Sequence, residues 1–448
     1  MAPESETAAI AYPVEEAPMQ PWHLSARIIV GVATFFDAFD ALAIAYVLPL
    51  LVKKWALSST QIGLTISLGY VGQFIGALLA GYFADRYGRL RVLMTTVAIL
   101  SLCSFMMAFS WSWASLLVIR VLQGVGLGGE VPVAASYITE IARAKDRGKF
   151  VLLYELIFPI GVMVVALTGY WIVPRWGWRW LFVIGGLSAL LCLYMRRALP
   201  ESPRWVKNTG ASPEKCDDPV CANVERAVLS TSESEIPATL SNHPVHPREL
   251  FSERYRKRTF VVWVMWFTTY LAFYGLWTWL PSLYTSVYKL PLTQALRNSL
   301  FMQTGGLLGA FACALLIDRL GRRLWVTGAL ILGAVPLFVL WYLKAPSAHL
   351  LLLCSVSAAP FIASVASALY LYTPELYPTR MRALGSSVAS AWLRFAAILG
   401  PMIIGTILAR SSIMWAFFIF ALALVVGGIV TAIFADETRA QVLEQVSP

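Results

Sequence analysis

The residues best able to do chemistry in this 448-residue chain are a few charged side chains stranded inside long apolar runs. Arg394 stands about ten residues into one run, roughly 15 Å deep at 1.5 Å per residue, with Pro401 farther along. Asp37 and Asp40 lie midway along another, three apart and so on one face of a helix. Glu155 follows Lys149, and Arg120, Gln123 and Glu130 share a further run, the last two on one face. In a bilayer each such group costs about 2.5–3.5 kcal/mol and needs a partner, a cavity or a purpose. Two close carboxylates resist double ionisation, which suits Asp37 and Asp40 to carry a proton; hydrogen bonds to neighbouring helices are the other reading. Glu155 couples protons or pairs with Arg120. Arg394 keeps its charge and cannot reach either surface, so it meets an internal carboxylate, Asp37 or Glu155, or an anionic ligand.

The elements that hold these residues are membrane helices. The chain is 58% hydrophobic and 13% charged, too little polar surface to cover a soluble protein of this length. Twelve apolar runs, each near the twenty or so residues that cross hydrocarbon, fall at about 25–51, 60–84, 90–110, 113–140, 149–173, 178–198, 259–285, 297–317, 324–344, 347–376, 383–409 and 412–434. This predicts an all-α integral membrane protein of twelve helices. A tail (1–22), a first six-helix bundle (23–198), a central loop (199–258), a second bundle (259–434) and a second tail (435–448) divide the chain. The net charge of +10 gathers in alternate short loops, at Arg86, Arg89 and Arg91; Arg143, Lys145, Arg147 and Lys149; Arg319, Arg322 and Arg323; Arg380 and Arg382. That asymmetry argues against nucleic acid and places these loops and both termini in the cytoplasm. The cluster Arg254–Arg258 faces anionic headgroups or is an ordinary stop signal. Cys216, Cys221, His243 and His246 are too loosely spaced in a Ser/Pro-rich loop for a zinc site and read as part of a reduced linker; no metal or cofactor is expected.

The two halves are copies. Gly81-Tyr-Phe-Ala-Asp85-Arg86-Tyr-Gly88-Arg89-Leu-Arg91 returns as Ala314-Leu-Leu-Ile-Asp318-Arg319-Leu-Gly321-Arg322-Arg323, and the Asp, Gly and first following Arg are each offset by 233. Gly72 and Gly76 repeat at the same offset as Gly305 and Gly309; with Gly124 and Gly128 they suit close helix packing. Glu140 precedes Arg147 by seven residues, as Glu375 precedes Arg382, and Tyr137 and Tyr372 keep the same offset of 235. Pro200-Glu-Ser-Pro-Arg-Trp205 is echoed by Asp436-Glu-Thr-Arg439.

These segments resemble the G-x-x-x-D-R-x-G-R-x-R loop of the major facilitator superfamily and the E-x6-R and P-E-S-P-R signatures of its sugar-porter clan, which also holds organic anion and cation transporters. The resemblance implies two pseudo-symmetric six-helix bundles. It also implies a gate in which Glu140 and Glu375 meet Arg86, Arg89, Arg319 and Arg322, beside Asp85, Asp318, Arg147 and Arg382; a static belt of salt bridges is the alternative. Asp37-Ala-Phe-Asp40 is similar to the D-G-x-D of aromatic acid–proton symporters, with Ala38 in place of Gly. Arg120-x3-Gly-x-Gly-x-Gly-Gly129 resembles a motif associated with proton transfer, and Arg394 with Pro401 resembles the organic anion transporters. The Gly-rich fifth-helix motif of drug–proton antiporters is absent, which counts against efflux. Trp263, Trp266, Tyr270, Phe273, Tyr274, Trp277 and Trp279 crowd one run, lining a cavity for a planar solute or anchoring helix ends.

Together these features predict a secondary transporter, not an enzyme, that takes up a small organic, aromatic carboxylate with protons by alternating access. It works as a monomer in the bacterial inner membrane, with Arg394, Asp40, Tyr270, Tyr274, Trp277 and Gln123 on the solute. Asp37, Asp40, Glu155, Glu130 and Arg120 serve the proton. The rivals are a facilitator or exchanger of sugars or organic cations and a receptor that binds solute without moving it.

Overall fold

The structure, a computed structural model, describes residues 21–141, 157–202, 205, 247–344, 347–377 and 381–438. Arg147, Glu155, both Cys216 and Cys221, His243 and His246, the chain before residue 21 and that after 438 lie outside the described residues; so do the side chains of Glu140 and Arg382. Twelve helices are long and apolar enough to cross a membrane, and the described residues contain no strand.

The first bundle comprises α1 (Pro21–Trp55), α2 (Ser59–Tyr87), α3 (Arg89–Ala108), α4 (Trp113–Ile141), α5 (Ile157–Trp176) and α6, which is broken into Arg179–Gly186 and Ser188–Ala198. A short 3-10 turn, Pro247–Phe251, leads into the second: α7 (Arg256–Ser286), α8 (Leu292–Leu320), α9 (Arg322–Tyr342), α10 (Ala348–Glu375), α11 (Arg382–Arg410) and α12 (Met414–Phe434). Helices are the natural outcome, since in hydrocarbon each backbone N–H and C=O must be satisfied within its own segment. Several outrun their apolar cores: α1 continues through Lys53 and Lys54, because the hydrogen-bond ladder does not stop at the hydrocarbon edge.

Packing repeats with the sequence. α4 rests on α2 and α3, as α10 rests on α8 and α9; α5 packs on α1 as α11 packs on α7. Between bundles, α2 meets α11, α5 meets α8 and α1 meets α7. Glycine permits the closest crossings: a Cβ on Gly72 would strike the Val121 carbonyl, and one on Gly309 would strike the Pro360 backbone. The paired Asp-Arg-x-Gly turns also need glycine, for Gly88 (φ 108°) and Gly321 (φ 90°) take positive φ between consecutive helices. The run expected to be continuous over 178–198 breaks at Leu187, after the pair Gly185–Gly186.

The apolar core shows where the bundles join. One continuous cluster runs from Ala38 along the second part of α1, through the first part of α2 and on through the whole second bundle. A separate cluster, including Ala26, Val30, Ala84, Leu93, Tyr137 and Met195, serves only the first bundle at the end that carries Asp85. Among the described residues the bundles are thus sealed together away from the Asp-Arg-x-Gly turns.

Candidate functional site

Polar groups line the contact of α1 with α4. Thr34, Asp37 and Asp40 follow one another at helical spacing and are buried. Thr34 Oγ1 donates to Glu130 Oε1 at 3.1 Å. Arg120, wholly buried, donates to the backbone carbonyls of Asp40 (3.3 Å) and Ala41 (3.1 Å) and to Gln123 Oε1 (2.6 Å), and Gln123 Nε2 donates to Ser104 Oγ at 2.6 Å. The guanidinium therefore ties α1 to α4 through the backbone. The Asp40 carboxylate stands beside Ser104 and Arg120, in the space left by the missing side chain of Gly185. The break in α6 and the position of Asp40 share that one glycine.

Arg394 joins this ribbon from the second bundle. It is 7% exposed, and its Nη2 donates to the Gly128 carbonyl of α4 at 3.3 Å. Its charge acts on Asp37, but the two make no direct hydrogen bond, and Arg394 Nε and Asp37 Oδ1 have no partner. The internal pair with Asp37, one of the two readings of Arg394, is thus an interaction through space; Glu155 lies outside the described residues.

A column of rings runs along α7, and the charge of Arg394 reaches Tyr274 within it. Trp266 stacks on Tyr270 (5.4 Å, 18°) and Tyr270 on Tyr274 (5.8 Å, 26°), and Tyr274 meets Tyr70 of α2 at 4.8 Å. Phe273 stacks on Trp277 at 4.3 Å, whose Nε1 donates to Gln303 Oε1 at 2.7 Å. All these rings are buried, so they are not interfacial anchors. Trp279 is structural, donating to the Pro401 carbonyl at 3.1 Å and holding α7 on α11. The sequence does not single out Tyr70 or Gln303; a phenol or amide within an apolar run is a weaker signal than a charge, and only their contacts with the rings mark them.

At the Asp-Arg-x-Gly turns, Asp85 pairs with Arg89 and Asp318 with Arg322 (2.8 Å), each one helical turn apart across its Gly turn. Arg322 also grips Glu375 through two hydrogen bonds of 3.1 Å. Arg86 and Arg319 stay exposed; the former donates to Tyr82 Oη at 3.3 Å. The Glu201 and Glu437 echoes find a common use. Glu201 accepts the Leu90 N–H (2.8 Å), and Glu437 accepts those of Arg322 (2.9 Å) and Arg323 (3.0 Å), so each carboxylate caps the helix that follows its Gly turn. Tyr137 and Tyr372 donate to the carbonyls of Pro200 (2.8 Å) and Asp436 (2.5 Å), anchoring the two echoes alike.

Two bundles of six helices related by repeat, with buried charges and rings where they meet, have the fold of a major facilitator transporter. Residues 26–448 match the sugar (and other) transporter family, and the chain belongs to it. It is a membrane transporter, not an enzyme. It is 32% identical to the niacin transporter NiaP of Acinetobacter baylyi over 97% of this chain and 98% of that protein. It is 31% identical to the gallate transporter of Pseudomonas putida over 88% of each. Among solved structures, the partially occluded inward-open xylose transporter XylE from E. coli shares the fold, with a TM-score of 0.73, 20% identity and coverage of 94% of this chain and 100% of that one.

Proposed function

We propose that the protein imports a small aromatic carboxylate together with protons, by alternating access, across a bacterial inner membrane with both termini in the cytoplasm. The observation that carries this reading is Arg394: a buried guanidinium, facing Asp37 without a direct bond, keeping an unpartnered Nε beside a stack of buried rings. A ligand carboxylate supplies the missing acceptor, and the rings supply faces for a planar body. Protonation of Asp37 removes the internal counter-charge and frees Arg394 for the anion, which couples solute to proton. Relatives that carry niacin and gallate, both aromatic carboxylates, support the same class. The basic loops put the Asp-Arg-x-Gly end in the cytoplasm, so a structure sealed at the opposite end faces inward.

Binding of niacin and gallate to the purified protein tests this. Arg394→Lys keeps the charge but loses the planar fork, so affinity for the carboxylate falls at least about tenfold while the protein still folds. Unchanged carboxylate binding in both Arg394→Lys and Arg394→Ala would remove the anion assignment and leave a sugar or organic cation in front.

A further inference from the structure

The contact of α2 with α11 has a register that can be followed residue by residue. A Cβ on Gly405 would meet the Ser59 carbonyl at 2.8 Å, and one on Gly63 would meet the Pro401 carbonyl at 3.1 Å. Ser67 Oγ then donates to the Ile398 carbonyl at 2.7 Å. The helices are antiparallel, so one further turn of each brings Tyr70 and Gln73 level with Arg394. A second observation agrees: a Cβ on Gly128, whose carbonyl takes the Arg394 Nη2, would strike the Gln73 backbone.

At this level three donors are orphaned, beside the Asp37 Oδ1 acceptor that also lacks a partner. Tyr70 Oη, Gln73 Nε2 and Arg394 Nε have no hydrogen-bond partner, and all three residues are more than nine-tenths buried. A buried donor without a partner costs stability, and more so away from water. Three such donors at one level of the bundle, with the Tyr70 ring on Tyr274, mark groups kept for something that arrives. One Nε answers a carboxylate; the amide and the phenol remain for a second group on the same ligand.

We propose that Tyr70 and Gln73 select, among aromatic carboxylates held at Arg394, those whose ring carries a second hydrogen-bonding group, a ring nitrogen or a hydroxyl. This rests on the reading of Arg394 as the carboxylate site. A site built to bond a polar ring atom rejects the analogue that lacks it, because its own donors are then left unpaired.

The test measures dissociation constants of the full-length purified protein for benzoate, which has no second group, niacin, with a ring nitrogen, and 4-hydroxybenzoate, with a ring hydroxyl. The wild type binds niacin or 4-hydroxybenzoate at least about tenfold more tightly than benzoate. Tyr70→Phe and Gln73→Leu shrink that preference at least about fivefold without weakening benzoate, whose penalty from unpaired donors they remove. Tyr70→Phe deletes one oxygen that has no partner, so it folds as the wild type does and decides the matter alone if Gln73→Leu does not fold. A wild type without preference, or variants that keep it while Arg394→Lys weakens all three ligands, overturns the selection by Tyr70 and Gln73 and leaves the carboxylate site standing. Failure of the wild type to bind any of the three overturns both.

Discussion

Arg322 grips Glu375 side by side, with Nε and Nη2 each 3.1 Å from one carboxylate oxygen. The same guanidinium reaches Asp318 at 2.8 Å, so one arginine links the end of α8, the start of α9 and the end of α10. Thr438 donates to Glu375 at 2.5 Å and adds the segment after α12. These contacts all lie within the second bundle, so in this state the device stiffens one bundle instead of bridging two. Arg322→Lys and Glu375→Gln should each lower thermal stability in detergent, and the double variant should lose less than the two summed, with a coupling of about 1 kcal/mol. Additive losses would show that the pair contributes nothing as a pair.

The capping carboxylates make a second prediction. Glu437 and Glu201 occupy the N-termini of α9 and α3, where four backbone N–H groups lack helical partners. Glu437→Ala and Glu201→Ala should each cost about 0.5–2 kcal/mol, and the Gln variants less, since an amide oxygen still accepts a bond. Thermal melts of the four variants decide this; equal loss in Ala and Gln would assign the effect to charge alone.

Coupling can be separated from binding at Asp37. Asparagine cannot take up and release a proton, so Asp37→Asn should abolish solute accumulation driven by a pH gradient. Counterflow exchange, which moves no net proton, should survive in part. Equal loss of both activities would make Asp37 a structural or solute-binding group.

Helix contact supplies a matched pair of glycine substitutions. A Cβ on Gly128 would drive into the Gln73 backbone, whereas one on Gly328 meets nothing within 4 Å. Gly128→Ala should cost about 1–3 kcal/mol by overpacking. Gly328→Ala, in α9, should be neutral or stabilising by up to about 1 kcal/mol, because alanine narrows the unfolded ensemble. Comparable melting temperatures for the two would contradict the tight α2–α4 crossing.

Much of this molecule is legible in its chain. Twelve runs of apolar residues dictate helices because lipid leaves the backbone no other way to bond, and length against bilayer thickness sets their number. The offset of Asp85 from Asp318, and of Glu140 from Glu375, determines two copies of one bundle. Burial cost likewise singles out Arg394, Asp37 and Arg120, since a charge in an apolar run is visible without coordinates. What pairs with what is a different matter. Arg120 and Asp40 are eighty positions apart, and Arg394 and Gly128 are 266 apart; their meeting depends on the register and rotation of packed helices. Tertiary structure alone decided that Arg120 holds backbone carbonyls, that Gly185 makes room for Asp40, and that the Tyr70 ring meets Tyr274. Tyr70 and Gln73 show the reason most sharply. An uncharged polar residue in an apolar run costs too little to stand out in sequence, and its missing partner exists as a fact only once every neighbouring helix is in place.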